Sequence, residues 1–140
     1  MTGYAVWYHR KTVDERQRAA EFAAAARQGA ITLMSIDANK ARDDVQRIID
    51  DSTGSLKTGM MINAEDLVKS VEESKVSTKV AVKAVAVESI TDDSAVVLVA
   101  MKSEATNTDK TKPPPRSWRV VMSLRRDAGK IKMSNVEYVP

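Results

Sequence analysis

The feature that most restricts this chain is a change of hydrophobic period near residue 75. Before that point apolar residues recur every three or four positions, and after it they alternate. Phe22, Ala26, Ala30, Leu33 and Met34 share one helical stripe, with Gly29 on its packed side or at its end. Thr12-Val13-Asp14-Glu15 has the form of a capping box, so the first helix is expected to begin or restart there and to run to about Ser35. Asp37 and Asn39 are candidate caps for a second helix, in which Ala41, Val45, Ile48 and Ile49 share a face opposite Asp43, Arg47 and Asp50. It should stop near Ser52-Thr53-Gly54, read as a helix-to-helix cap in which Ser52, Thr53 or Ser55 accepts from free amides. A third helix places Leu56, Met60, Ala64, Leu67 and Val71 on one stripe and ends near Ser74.

The remainder reads as four antiparallel strands. Val76, Thr78, Val80 and Val82 face one way and Lys79 and Lys83 the other, whereas Val85 and Val87 fall in the opposite phase. A bulge or bend near Ala84 reconciles the two. Thr91-Asp92-Asp93-Ser94 makes a hairpin turn. Residues 95–101 form a nearly continuous apolar run, expected to be a central strand covered on both faces. Residues 107–115, with three consecutive prolines, make a loop. Trp118, Val120, Met122 and Leu124 alternate with polar residues, Asp127-Ala128-Gly129-Lys130 turns, and residues 131–139 return. Three helices followed by a bent four-stranded antiparallel sheet make an α+β domain. The pattern suits the cones resembling nuclear transport factor 2 (NTF2) and ketosteroid isomerase, and also a cystatin-like sheet.

Length and composition narrow the function. At 140 residues the chain is one domain with one core. It has no cysteine, which excludes a disulfide scaffold, a cysteine nucleophile and thiolate metal sites. Aromatic residues are only 4%, and none occurs from Ala23 to Ser117, so the core is expected to be aliphatic and methionine-rich. The net charge of +3 divides into +3 over residues 1–42, −5 over 43–74 and +5 over 75–140. Basic residues are scattered among acids without a dense stripe, so no nucleic-acid partner is expected. Tyr4, Trp7 and Tyr8 crowd an apolar start that runs into His9-Arg10-Lys11. Residues 1–11 therefore read as a membrane-proximal stub, the end of a transmembrane helix lying upstream, and 12–140 as the folded domain. A hydrophobic arm packed on the domain is the alternative.

Catalytic tools are scarce. His9 is the single histidine and has no sequence neighbour that would make a triad or metal site. The adjacent carboxylates Asp43-Asp44, Asp50-Asp51, Glu72-Glu73 and Asp92-Asp93 point apart on a helix or lie in turns, as solvated faces and caps do. Asp-Ser-Thr-Gly at 51–54 has elements of an aspartic-protease loop but sits at a helix end, and it lacks the order of a phosphate-binding loop. No catalytic residue, cofactor or metal is expected. Met34, Met60, Met61, Met101, Met122 and Met133 read as core filling or as the lining of an adaptable lipid cavity.

Several separated segments then resemble one family. Leu33-Met34-Ser35-Ile36-Asp37, the amphipathic run Asp44-Val45-Gln46-Arg47-Ile48-Ile49-Asp50-Asp51-Ser52-Thr53-Gly54-Ser55-Leu56, Asp93-Ser94-Ala95-Val96-Val97-Leu98-Val99-Ala100, Trp118-Arg119-Val120 and the closing Ser134-Asn135-Val136-Glu137-Tyr138-Val139-Pro140 are similar, in order and spacing, to the Mce-associated membrane proteins of actinobacteria. Ile131 departs from that pattern, which commonly has an aromatic residue there. The resemblance implies a single-pass plasma-membrane protein with an extracytoplasmic NTF2-like domain. It also implies a non-enzymatic role in assembling or stabilising a mammalian-cell-entry (Mce) importer of lipids such as fatty acids or sterols. Its partners would be Mce transporter subunits or associated permease proteins, and lipid. Candidate cavity or partner contacts are Phe22, Trp118, Met122, Met133 and Arg119, the last with Lys79 and Lys83 on an outer basic surface. Two alternatives accompany this reading: a structural subunit of a secretion channel resembling VirB8, and a pocket enzyme similar to ketosteroid isomerase, which requires a carboxylate inside the cone.

Overall fold

A computed structural model of the chain describes residues 2–107 and 111–140, and for residues 2–13 the backbone alone. Helices α1 (Thr2–Met34), α2 (Ala41–Asp50) and α3 (Gly54–Ser74) precede strands β1 (Val76–Ile90), β2 (Ser94–Asn107), β3 (Arg116–Asp127) and β4 (Lys130–Val139). The strands form one antiparallel sheet in chain order. This is the α+β order expected from the change of period. The backbone of α1 passes through Thr12 unbroken, so the helix does not begin there. The amides that a capping box would satisfy are already inside a helix, and the Thr-x-x-Glu pattern has no free end to cap. The expectations for Tyr4, Trp7, Tyr8 and His9 lie outside the described side chains.

One face of the sheet, the inner face, takes α1. Phe22, Ala26 and Ala30 are fully buried against Val97, Val99, Met101, Val120, Met122, Leu124 and Met133. Gly29 lets the helix approach closely: a Cβ there would stand 3.1 Å from Met133 Sδ and 3.4 Å from Met122 Sδ. α2 serves two layers at once, sending Ile48 to this core and Ala41, Val45 and Ile49 to a second cluster with Val68 of α3. Val68 is the most deeply buried side chain of α3, while the expected stripe of Leu56, Met60, Ala64, Leu67 and Val71 is half-buried. Met60, Leu67 and Val71 of that stripe line a groove, described below. Asp44 is buried rather than solvated, its carboxylate accepting from the Asp37 backbone N–H at 2.8 Å.

The change of phase in β1 has the expected cause. The register slips between Val82 and Ala84 and again between Val87 and Ser89, so Val80, Val82, Val85, Val87 and Ile90 all reach the inner face. β2 is an inner strand, but only one of its faces is covered. Ala95, Val97, Val99 and Met101 are buried, whereas Val96 and Ala100 are half-buried and Leu98 is 38% exposed. The run of residues 95–101 is apolar on both faces, and the described residues supply cover for one.

Both sheet edges are held by the connections between helices. Along β1, Thr78 N–H donates to Ile36 O at 2.9 Å and Val80 N–H to Ser35 Oγ at 3.2 Å. Along β4, Thr53 N–H donates to Met133 O and Met133 N–H to Asp51 O, both at 2.8 Å. The segment between α2 and α3 is thus a short parallel addition to the sheet and not a self-contained cap. Thr53 makes no side-chain cap for α3. Its hydroxyl instead donates to Asp127 Oδ2 at 2.8 Å, and the Thr53 hydroxyl oxygen accepts from Arg125 Nη2 at 3.3 Å. Gly54 takes a positive φ of 60° beside that guanidinium, a conformation glycine adopts without strain. The Thr53 hydroxyl holds the Asp127 carboxyl below its ordinary range, whereas burial pushes Asp51 up, partly offset by Lys132.

These contacts can be tested by thermal melts followed by circular dichroism. Gly29→Ala should be near neutral, because a helix gain of about 1 kcal/mol offsets mild crowding of flexible methionines. Gly29→Val, with its branched Cβ, should destabilise by about 1–3 kcal/mol. Thr53→Val and Asp127→Asn should each lower the melting midpoint, and the double variant should fall no further than the worse single one. Because the folded-state pKa of Asp127 is depressed, its contribution is present above the ordinary carboxylate pKa of about 3.9 and disappears as pH falls through the folded value. Between about pH 5 and pH 3 the parent chain should therefore lose more stability than Asp127→Asn.

Candidate functional site

The inner face of the sheet is not filled along its whole length. At the Asp127 end of β3, Met122, Leu124 and Met133 occupy the space beneath α1. At the other end, where β3 begins, the inward-phase residue is Trp118. Its half-buried ring packs against the aliphatic core and lines a groove of about 580 Å³. Ile48 is a buried part of its lining; Leu33 and Met34 of α1 and Met60 and Leu67 of α3 contribute to the walls.

The polar atoms at the rim largely satisfy one another. Trp118 Nε1–H donates to Ser103 Oγ at 2.7 Å, and the Ser103 hydroxyl in turn donates to the Arg116 carbonyl at 3.4 Å. Tyr138 meets Trp118 edge-on, ring centroids 5.8 Å apart, and its hydroxyl donates to Met34 Sδ at 3.4 Å. The Arg116 guanidinium lies 4.9 Å from the centre of the Trp118 ring, a cation–π distance. Among the described residues the lining contains no carboxylate and no histidine, and Arg116 is its one charged side chain. No group of three or more histidine or carboxylate side chains among the described residues is placed to hold a metal ion.

The five residues singled out from the sequence fall into three places. Trp118 lines the groove. Phe22, Met122 and Met133 are buried in the core, and the Arg126 guanidinium lies 5.3 Å from the Phe22 ring. Arg119 points to the outer face and donates to the Pro140 carbonyl at 3.1 Å. Lys79 and Lys83 are also outward, and Lys102 joins them around a shallow depression. Sequence reasoning missed Ser103, Arg116 and Tyr138. Ser103 carried a usable signal, since a polar residue in phase with Val97, Val99 and Met101 must find a buried partner.

A family model described as "Uncharacterized protein Rv1363c/MT1408-like" matches residues 1–140. The uncharacterized protein Rv1363c of Mycobacterium tuberculosis is 48% identical over 140 residues, which are all of this chain and 54% of that protein. The chain therefore spans about half the length of this curated relative. Among solved structures, an IcmL-like type IV secretion system protein from Legionella pneumophila matches with a TM-score of 0.69 at 12% identity, over 86% of this chain and 91% of that one. VirB8 of Agrobacterium tumefaciens matches with a TM-score of 0.60 at 13% identity, over 88% and 92% respectively. At such identities the likeness is one of fold: three helices on a four-stranded antiparallel sheet, the NTF2-like cone. With one family model matching every residue and a relative nearly half identical across the chain, this protein belongs to the Rv1363c/MT1408-like family.

Proposed function

We propose that this chain is a non-enzymatic assembly domain of a cell-envelope complex, and that the complex is an Mce-type lipid importer. The observation that carries the reading is the bare outer face of β2. Leu98 is 38% exposed, pairs across the sheet with Val121 on one side and Ala86 on the other, and is flanked by half-buried Val96 and Ala100. An inner strand with an apolar outer face is the composition of a surface that a second protein covers. Lys83, Lys102 and Arg119 border it together with Glu137, the cross-strand partner of Val121, so charges of both signs rim the apolar patch.

The position of α1 supports an envelope location. Its backbone continues from the domain through residues 2–13, about 18 Å of helix at 1.5 Å per residue. An anchor continuing that axis upstream would hold the domain outside the plasma membrane, with Tyr4, Trp7 and Tyr8 at the interface. Among the described residues no helix is itself long and apolar enough to cross a membrane. The IcmL-like protein belongs to a type IV secretion system, so a VirB8-like channel subunit is the second reading. A ketosteroid-isomerase-like enzyme is less well supported, since the groove lining lacks the carboxylate such chemistry uses.

Affinity purification of the full-length protein from membranes should recover Mce or permease subunits. Leu98→Glu combined with Val121→Glu should abolish that recovery while the isolated domain keeps its helical and strand signal. Recovery of secretion-channel subunits instead would favour the second reading, and recovery of neither would remove the proposal.

A further inference from the structure

We propose that the groove between α3 and the open end of the sheet is a binding site for one acyl chain of an anionic amphiphile, with Arg116 at its headgroup. This goes beyond the assembly role and holds whichever complex the domain serves. At about 580 Å³ the groove falls within the range of about 300–1,000 Å³ typical of small-molecule sites. Its walls of leucine, isoleucine and methionine suit a flexible apolar chain and adapt to it.

The rim chemistry selects the headgroup. The Trp118 indole N–H is committed to Ser103 and the Tyr138 hydroxyl to Met34. The exposed guanidinium of Arg116 stacks on Trp118 and, among the described residues, meets no carboxylate. Its donors are left for an oxygen anion, which a planar guanidinium can take in bidentate fashion. An uncharged amphiphile would fill the groove and leave that cation unused. A fatty-acid carboxylate and a lysophospholipid phosphate offer the same chemistry.

The test uses the 140-residue chain with Trp7→Phe, which leaves Trp118 as the single tryptophan. Dibromostearic acid, its methyl ester and a brominated lysophosphatidic acid are titrated below their aggregation concentrations, and bromine quenching of indole fluorescence is read. Saturable quenching by at least one anionic probe, tighter than by the ester, is expected. The tighter of the two anions assigns the headgroup. Arg116→Gln, an exposed change, should weaken anion binding about fivefold and leave the ester unchanged. Absence of saturable quenching, or an equal effect of Arg116→Gln on acid and ester, overturns the proposal. Neither result depends on which partner the domain recruits.

Discussion

The architecture depends on backbone hydrogen bonds that join the helix connections to the two edges of the sheet. A four-stranded antiparallel sheet has two edges with unpaired amides, and each is a hazard unless blocked. Here the segment after α1 satisfies part of the β1 edge through Ile36 and Ser35, and the segment after α2 satisfies β4 at Met133. The helical layer is therefore registered to the sheet at both sides by directional bonds, and side-chain packing operates within that frame. This explains why the chain turns sharply at residues 51–54. The backbone must run parallel to β4 for a few residues and then enter α3, and Gly54 at positive φ makes that change of direction.

Once the frame is set, the core reflects the shortage of large rings. Among the described residues Phe22 is the single aromatic in the fully buried core, and Met101, Met122 and Met133 do much of the filling. Methionine accommodates the close approach of α1 at Gly29, where Met133 and Met122 lie across the backbone. Their bulk fills the sheet only where α1 is near. Toward the start of β3 a groove remains between helices and strands, and among the described residues its aromatic side chains are Trp118 and Tyr138.

Much of the fold was legible because burial on one face writes a period into the sequence. The phase flip between Val82 and Val85 even located a bulge, since a strand that keeps its valines inward must slip by one residue where the phase changes. Features set by distant partners were not legible. Thr53 reads as a cap from its neighbours, yet its hydroxyl serves Asp127, 74 positions away. Thr12 has every local mark of a helix start, but local marks do not show whether an earlier turn already exists. For residues 95–101 the sequence specifies that both faces are apolar; it cannot say that the helices of the described residues cover only one of them. The groove was half readable: Trp118 stood out as an inward aromatic after a loop, while Arg116 acquires meaning only from its stacking on that ring.

The two unfilled surfaces lie on opposite sides of the same strands, and this has a mechanical consequence. Met101 faces the core and pairs with Trp118, while Ala100, its neighbour along β2, faces outward and pairs with Arg119. Cover laid on the outer face bears on the backbone that carries the groove wall, and a chain seated in the groove bears on the backbone that carries the outer face. β2 is held on both sides by strands, so its freedom to respond is small except where register is already irregular. Those irregularities lie in β1 at Val82–Ala84 and Val87–Ser89, alongside Leu98 and its neighbours. A bulged strand changes twist at lower cost than a regular one. Of the two strands that flank β2, β1 carries the irregular pairing with it, and its free edge is held by the residues that follow α1.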